Sequence, residues 1–230
     1  MPEHLIFTLT AALAAHGDLA GHERRGTLGW PGRSALLGLL GAALGLERGG
    51  DFATLDALHL AVAVFDEGRV LRDYHTVMTV PTAVAKRPQS RPEALRAAGV
   101  RTNTTVTLRD YRMAALYGVA VWGGDLGPLL NALERPGFTL YLGRKSCPLA
   151  APLGARIVES VGPAEAMMSL QLPPWRAGWV ADRMALDAGD CVDAQYIEER
   201  QDQPIDRAAW HFAARHVAWA NVRIAPGGAA

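Results

Sequence analysis

Cysteine is nearly absent. Cys147 and Cys191 lie far apart and outside any C-x-x-C spacing, which excludes a disulfide scaffold and a cysteine-based zinc site. Lysine is as rare: Lys86 and Lys145 are the only two, so nearly every cation is an arginine, the planar donor suited to bidentate phosphate contacts. Genomic base composition produces the same bias, so this alone assigns nothing. Neither sign of charge is in excess, since 23 Lys and Arg balance 23 Asp and Glu. That excludes a protein held to nucleic acid by bulk charge and leaves room for a local basic surface. No apolar run reaches the ~18 residues that span a bilayer; the longest candidate, Ser34 to Leu46, is interrupted by three glycines. Leu5 to Ala15 has the apolar character of a signal-peptide core, but Glu3 and His4 stand where Lys or Arg would precede it. A cytoplasmic protein without a membrane partner is expected.

Catalytic and metal signatures are missing as well. The seven histidines are scattered, none in H-x-x-x-H or H-E-x-x-H, and G-x-S-x-G does not occur. His16, Asp18 and His22 share a loop that could hold a metal, although a solvated loop explains them more simply. Tyr74-His75 beside Arg72 could supply acid–base chemistry for RNA cleavage, against the ordinary reading of a packed strand histidine. No catalytic residue, metal or cofactor is expected.

What is present is a globular chain of 230 residues, half of them hydrophobic, long enough for a substantial core. His4–Thr10 reads as a first strand, followed by a polar loop from His16 to Arg25. Ser34 is placed to cap an apolar helix that ends near Gly45. Leu58–Phe65 reads as a core strand and Val70–Val77 as a second extended stretch. Thr104–Leu108 and Met113–Trp122 are further strands, Asp125–Leu133 a helix capped by Asp125, and Phe138–Leu142 a strand. A weaker strand near Arg156–Val161 and a short helix near Ala164–Leu172 precede a tail rich in Trp and Arg. Strand, helix, strand, insertion, strand, helix, strand fits an α+β, ferredoxin-like plan. The expected division is a domain over 1–152, with an insertion at about 77–112, and a smaller C-terminal, mainly-β region over 153–230.

The insertion is basic. Between Val77 and Arg112 seven cations (Lys86, Arg87, Arg91, Arg96, Arg101, Arg109, Arg112) face two anions (Glu93, Asp110), and 7 − 2 gives +5. Positive charge gathered in one proline-broken stretch of a neutral chain points to an anionic partner. Tyr141-Leu142-Gly143-Arg144-Lys145-Ser146-Cys147-Pro148 adds a glycine for close backbone approach, adjacent cations for phosphate and a ring on which a base can stack. It is no Walker loop, because the upstream glycine is missing and proline follows where a helix should begin. Arg33-Ser34 at a helix start is a second possible anion site, and Arg109 with Tyr141 could grip one nucleotide. Solvated charges on ordinary turns would look the same in each case.

The opening strand, Gly32-Arg33-Ser34-Ala35-Leu36-Leu37-Gly38-Leu39-Leu40-Gly41-Ala42, Arg72-Asp73-Tyr74-His75-Thr76-Val77 and the 141–149 stretch occur in an order that resembles the type I-E branch of the CRISPR-associated Cas-five family, RAMP-superfamily subunits of the Cascade complex of antiviral defence. The resemblance implies an RRM-related domain with a long thumb hairpin, capping the 5′ handle of the CRISPR RNA. It also implies contacts with the backbone subunit through the thumb and with the large, PAM-sensing subunit, and with target DNA only indirectly through the complex. By match to the family motifs, Arg109 and Tyr141 are the leading handle contacts, followed by Arg144, Lys145, Arg33 and Ser34. In this subtype a separate enzyme cuts the precursor RNA. A related subtype is itself a metal-independent endoribonuclease with a tyrosine, lysine and histidine, and no Lys-His pair occurs here. The family's first loop carries Gly-Pro and Trp-Gly, where Ala11-Ala12 and His16-Gly17 stand in this chain.

Overall fold

The computed structural model describes residues 1–18, 21, 23–84 and 87–227; the expectations for His22 and Lys86 lie outside them. The elements in chain order are β1 (Glu3–Ala14), β2 (Arg24–Arg25), α1 (Arg33–Ala43), α2 (Ala53–Asp56), β3 (His59–Asp66), β4 (Arg69–Thr79), α3 (Arg91–Ala98), β5 (Asn103–Trp122), α4 (Gly127–Glu134), β6 (Arg156–Glu159), α5 (Pro163–Ala166), β7 (Ala181–Asp187), β8 (Tyr196–Asp206) and β9 (His211–Ile224). The fold is α+β: one large sheet, antiparallel apart from β2, and few helices. Its strand order is β6-β1-β5-β3-β7-β9-β8, with β2 and β4 branching from β5.

Alternation along the strands builds two apolar layers. Leu5, Phe7 and Leu9 of β1 and Tyr117, Val119 and Val121 of β5 face α1 and α4, with Leu36, Leu37 and Leu40 of α1 closing the layer. Ile6, Leu116 and Ala120 face the other way, onto Ala166, Met167 and Leu170. The C-terminal strands extend the same sheet through β7, which pairs with β3.

Several sequence expectations are corrected. Phe138–Leu142 is not a strand. Gly137 and Phe138 donate their backbone N–H groups to the last carbonyls of α1, Ala43 and Ala42, at 2.8 and 3.0 Å, so they close that helix instead of joining the sheet. The strand that follows α4 in the sheet is instead β6, paired with β1. Thr104–Leu108 and Met113–Trp122 are halves of the single 20-residue β5, because β4 pairs without a break from Thr79↔Asn103 to Arg69↔Met113. The N-cap of α1 is Gly32, not Ser34. Asp125 does receive the N–H of Gly127, at 3.1 Å, but α4 begins only there. The proline-broken insertion contains α3, capped by Ser90.

Candidate nucleic-acid interface

The site forms around the outer half of β5. β4 pairs on one edge, and the two residues of β2 run parallel on the other, Arg24 beside Leu108 and Arg25 beside Arg109. Tyr111 is buried in the α1-side layer, so Arg109, two residues earlier, is directed to the same face, while Asp110 is directed to the opposite one. Asp110 is 2% exposed and gripped from both edges: Arg24 Nη2 lies 2.6 Å and Arg72 Nε 2.9 Å from its carboxylate. The hydrogen bond from Arg72 above all, with help from Arg24 and against the upward pull of burial, holds the carboxyl down at about 2. The clamp ties β2, β5 and β4 into one rigid wall.

The 141–148 turn leans on this wall. Gly143 has φ +83°, and a Cβ there would land on the carbonyl oxygen of Ala15. The close approach expected of this glycine is real, but its neighbour is the end of β1. Ala15 N–H donates to Leu142 O at 3.0 Å, and Leu142 and Cys147 are buried. Arg144 then crosses to β5, its guanidinium 4.4 Å from the centroid of the Tyr111 ring. It donates to the carbonyls of Asp110 (3.3 Å) and Arg25 (3.5 Å). Much of its hydrogen-bonding capacity is therefore spent on the protein. Lys145 is exposed; Tyr141 is half-buried between the buried Leu140 and Leu142, with one bridge to Pro148.

Arg109 differs from its neighbours. Half-buried opposite Asp73, it forms no ion pair among the described residues; its Nε is buried without a hydrogen-bond partner, so an outside anion would have to be met by its terminal nitrogens. A guanidinium held in a wall of paired charges, itself unpaired, is a ready anion contact. The structure thus brings Arg109, Arg144 and the turn bearing Tyr141 and Lys145 to one region of β5.

Arg33 and Ser34 lie elsewhere. The side chain of Arg33 is 6% exposed. Its Nη2 donates to Asp56 O at 2.6 Å, and its Nη1 pairs with Asp187 at 3.2 Å. The anion position at the start of α1 is already filled, because the N–H of Arg33 donates to Asp202 Oδ2 at 2.7 Å. Ser34 is half-buried in the first turn. The start of α1 is thus held by a carboxylate of the protein itself.

Tyr74 and His75 are consecutive on β4 and so point to opposite faces, Tyr74 70% exposed and His75 half-buried across from Thr107. The two side chains therefore do not share one face of the ribbon. Among the described residues no group of three His, Cys, Asp or Glu side chains could hold a metal. His16 is not in a solvated loop: it is buried, with its ring 5.2 Å from Tyr117. Tyr111, two residues after Arg109 in the same extended stretch, stands beside it as its spacing implies; Arg24, Arg25 and Arg72 are partners of the site that local sequence does not announce. The Arg24-Arg25 doublet in the polar loop is the one signal for the first two.

Comparison with known proteins then places the chain among relatives. The family model described as CRISPR-associated protein (Cas_Cas5) matches residues 4–218. The chain is similar to the CRISPR system Cascade subunit CasD of Escherichia coli (strain K12), 33% identical over 189 residues that make up 74% of this chain and 78% of the relative. In structure it is similar to a chain solved as a "CRISPR RNA-guided surveillance complex", with a TM-score of 0.71 and 22% identity over 97% of this chain and 94% of that one. A second solved chain, "Crystal structure of Cas protein", gives a TM-score of 0.66 and 26% identity over 98% of both.

Proposed function

Because the chain belongs to the CRISPR-associated Cas5 family, we propose that it is the type I-E, non-catalytic member of an RNA-guided surveillance complex, working in the cytoplasm and capping the 5′ handle of the CRISPR RNA. The single observation that carries the handle reading is Arg109, a cation left unpaired in the rigid wall of β5 beside the 141–148 turn. Phosphates of an unpaired RNA end would meet Arg109, Lys145 and the remaining donors of Arg144, while a base stacks on Tyr141. Arg33 and Ser34 stand outside this proposed site, since one is consumed by carboxylates and the other sits at a helix start already occupied.

We read residues 1–152 as the RNA-binding part and 153–230 as its smaller companion, which lends β6 (Arg156–Glu159) to the sheet of the first part. The ferredoxin-like, RRM-related reading has its support in the order β1-α1-β3-β5-α4-β6, with β6-β1-β5-β3 as neighbours in the sheet. The β4–β5 ribbon with α3 at its tip is the proposed thumb, reaching the neighbouring backbone subunit. Its even-numbered face carries the exposed Val70, Tyr74, Met78 and Val106, while its odd-numbered face carries Arg109 and His75. Apolar contact with protein on one face and polar contact with RNA on the other suits a two-sided ribbon. A different surface would meet the large, PAM-sensing subunit.

Binding of a repeat-derived RNA to the purified chain, followed across salt concentrations, tests the reading. Arg109→Ala should weaken binding and reduce the log–log salt slope by ~0.7, the share of one phosphate contact on a single strand. Tyr141→Ala should cost ~1–3 kcal/mol with the slope unchanged. Affinities equal to wild type in both variants overturn the handle site. Specific cleavage of that RNA, abolished by His75→Ala, would instead restore the endoribonuclease alternative.

A further inference from the structure

Trp30 and Trp219 are 6% and 4% exposed and serve the core. Trp175 and Trp179, on the turn before β7, are 60% and 37% exposed. A tryptophan left in water forgoes a large burial gain, so two within one five-residue stretch call for a reason. The turn that presents them is built firmly. Arg176, between them, donates to Asp66 Oδ2 at 3.1 Å and to Ala114 O at 2.7 Å, and its guanidinium lies 4.1 Å from the centroid of Trp179. Gly178, at φ +77°, turns the chain so that Trp179 comes back over that guanidinium.

Two more large apolar side chains stand at the same end of the sheet. Val180 is 38% and Met168 40% exposed. Ala181 pairs with Ile224, and the next residue, Ala225, donates its N–H to Met168 Sδ at 3.4 Å. Val180 and Met168 therefore flank the end of β9 together.

We propose that Trp175 and Trp179, with Val180 and Met168 beside them, anchor an apolar surface of a neighbouring protein subunit. The charges decide between protein and nucleic acid. The one cation of the turn is held by Asp66, a backbone carbonyl and a tryptophan face, and no other charged side chain stands between Trp175 and Trp179. Asp182 and Arg223, exposed on the adjoining strands, have opposite signs, and Glu165 before Met168 adds a negative charge that would repel phosphate. A charge-poor centre of Trp and Met with a fixed Arg has the composition of a protein–protein hot spot. Because Arg176 already fixes Trp179, docking orders little that was loose. The patch adjoins the layer of Met167, Leu170 and Ala181, on the face of the sheet away from α1 and the Tyr111 side of β5, so its occupant and the RNA need not compete.

This inference rests on reading the chain as a complex subunit, and the experiment separates the two. The tagged chain is co-expressed with the other proteins of its complex and the CRISPR RNA, and what copurifies is quantified by mass spectrometry and gel. Trp175→Ala/Trp179→Ala should deplete one protein subunit roughly tenfold while RNA is retained at wild-type level. Trp175→Glu, a single change at an exposed side chain, should give the same selective loss. Thermal melting of both purified variants must match wild type. Full retention of every subunit by the folded variants overturns the proposal. Loss of RNA with all proteins kept also overturns it, making the pair a base-stacking platform. A wild-type chain that brings down neither protein nor RNA overturns the subunit reading beneath it, before any variant is made.

Discussion

The guanidinium of Arg144 lies over the ring of Tyr111, 4.4 Å from its centroid, and this contact joins the 141–148 turn to the strand that carries Arg109. Two donated hydrogen bonds, to the carbonyls of Asp110 and Arg25, fix its plane. Arginine here works by shape as much as by charge. Arg144→Ala should destabilise the fold by ~1–3 kcal/mol, from a lost cation–π contact and lost charge-assisted hydrogen bonds. For a chain of this size each kcal/mol corresponds to roughly 2–4 °C in Tm. Arg144→Lys keeps the charge without the planar fork and should recover less than half of the loss. Thermal melting compares the two, and full recovery by lysine would refute the geometric role.

Glycine positions separate need from tolerance. At Gly143 the backbone sits at φ +83° and a side chain would strike Ala15 O, so Gly143→Ala must dislodge the turn. A loss of ~2–4 kcal/mol is expected, with weakened RNA binding as a consequence. Gly38, inside α1, has nothing within 4 Å of the space a Cβ would take. Gly38→Ala should therefore stabilise by ~0.5–1 kcal/mol, the helix penalty of glycine removed. Urea midpoints of the two variants should move in opposite directions.

How far such features can be read from sequence depends on where the partners lie. β1, α1, β3 and β4 were legible because alternation or helical periodicity is a local property of the residues that form them. The segment after α4 looked like a strand by composition, yet its backbone donors are taken by the end of α1, a choice made by tertiary structure. The strands β8 and β9 were hidden because Glu198, Arg200 and Arg215 interrupt their apolar pattern, while Arg200 covers Trp30 from 4.8 Å. A charged residue whose stem lies over an aromatic ring behaves as part of the core. The candidate site was legible in its cations and not in their employment. Nothing near Arg33 in sequence announces Asp187 or Asp202, more than 150 positions away.

That employment yields its own test. Arg215 joins Asp187 and Asp202, both contacts at 2.6 Å, and these two carboxylates hold the side chain and the backbone N–H of Arg33. Removing one member leaves buried charge unbalanced, so Arg33→Ala and Asp202→Asn should each cost ~2–4 kcal/mol. Neither should change the RNA affinity of the folded protein. A folded Arg33→Ala protein with its stability intact and its RNA binding lost would return Arg33 to the binding surface.

His16 makes stability depend on pH well above the carboxylate range. Burial first, then the cations of Arg112 and Arg200, push its pKa from 6.5 down to about 3. The folded value lies below the unfolded one, so the unfolded chain takes up the proton first. The stability His16 permits is thus complete above pH 6.5 and declines as pH falls from there toward 3, by at most ~1.4 kcal/mol per unit. Asp110, depressed from 3.8 to about 2 by Arg72 and Arg24, adds its own decline only below about pH 4, where the unfolded chain takes up the proton while the folded carboxylate stays ionised. Of the two groups only His16 acts between pH 6.5 and about 4, and the windows overlap below that. Urea midpoints between pH 7 and pH 4 should fall in the wild type and in Asp110→Asn alike, while His16→Gln flattens that slope whatever it does to stability at pH 7. A slope unchanged in His16→Gln would assign the titration to another group and remove His16 from the account of acid sensitivity.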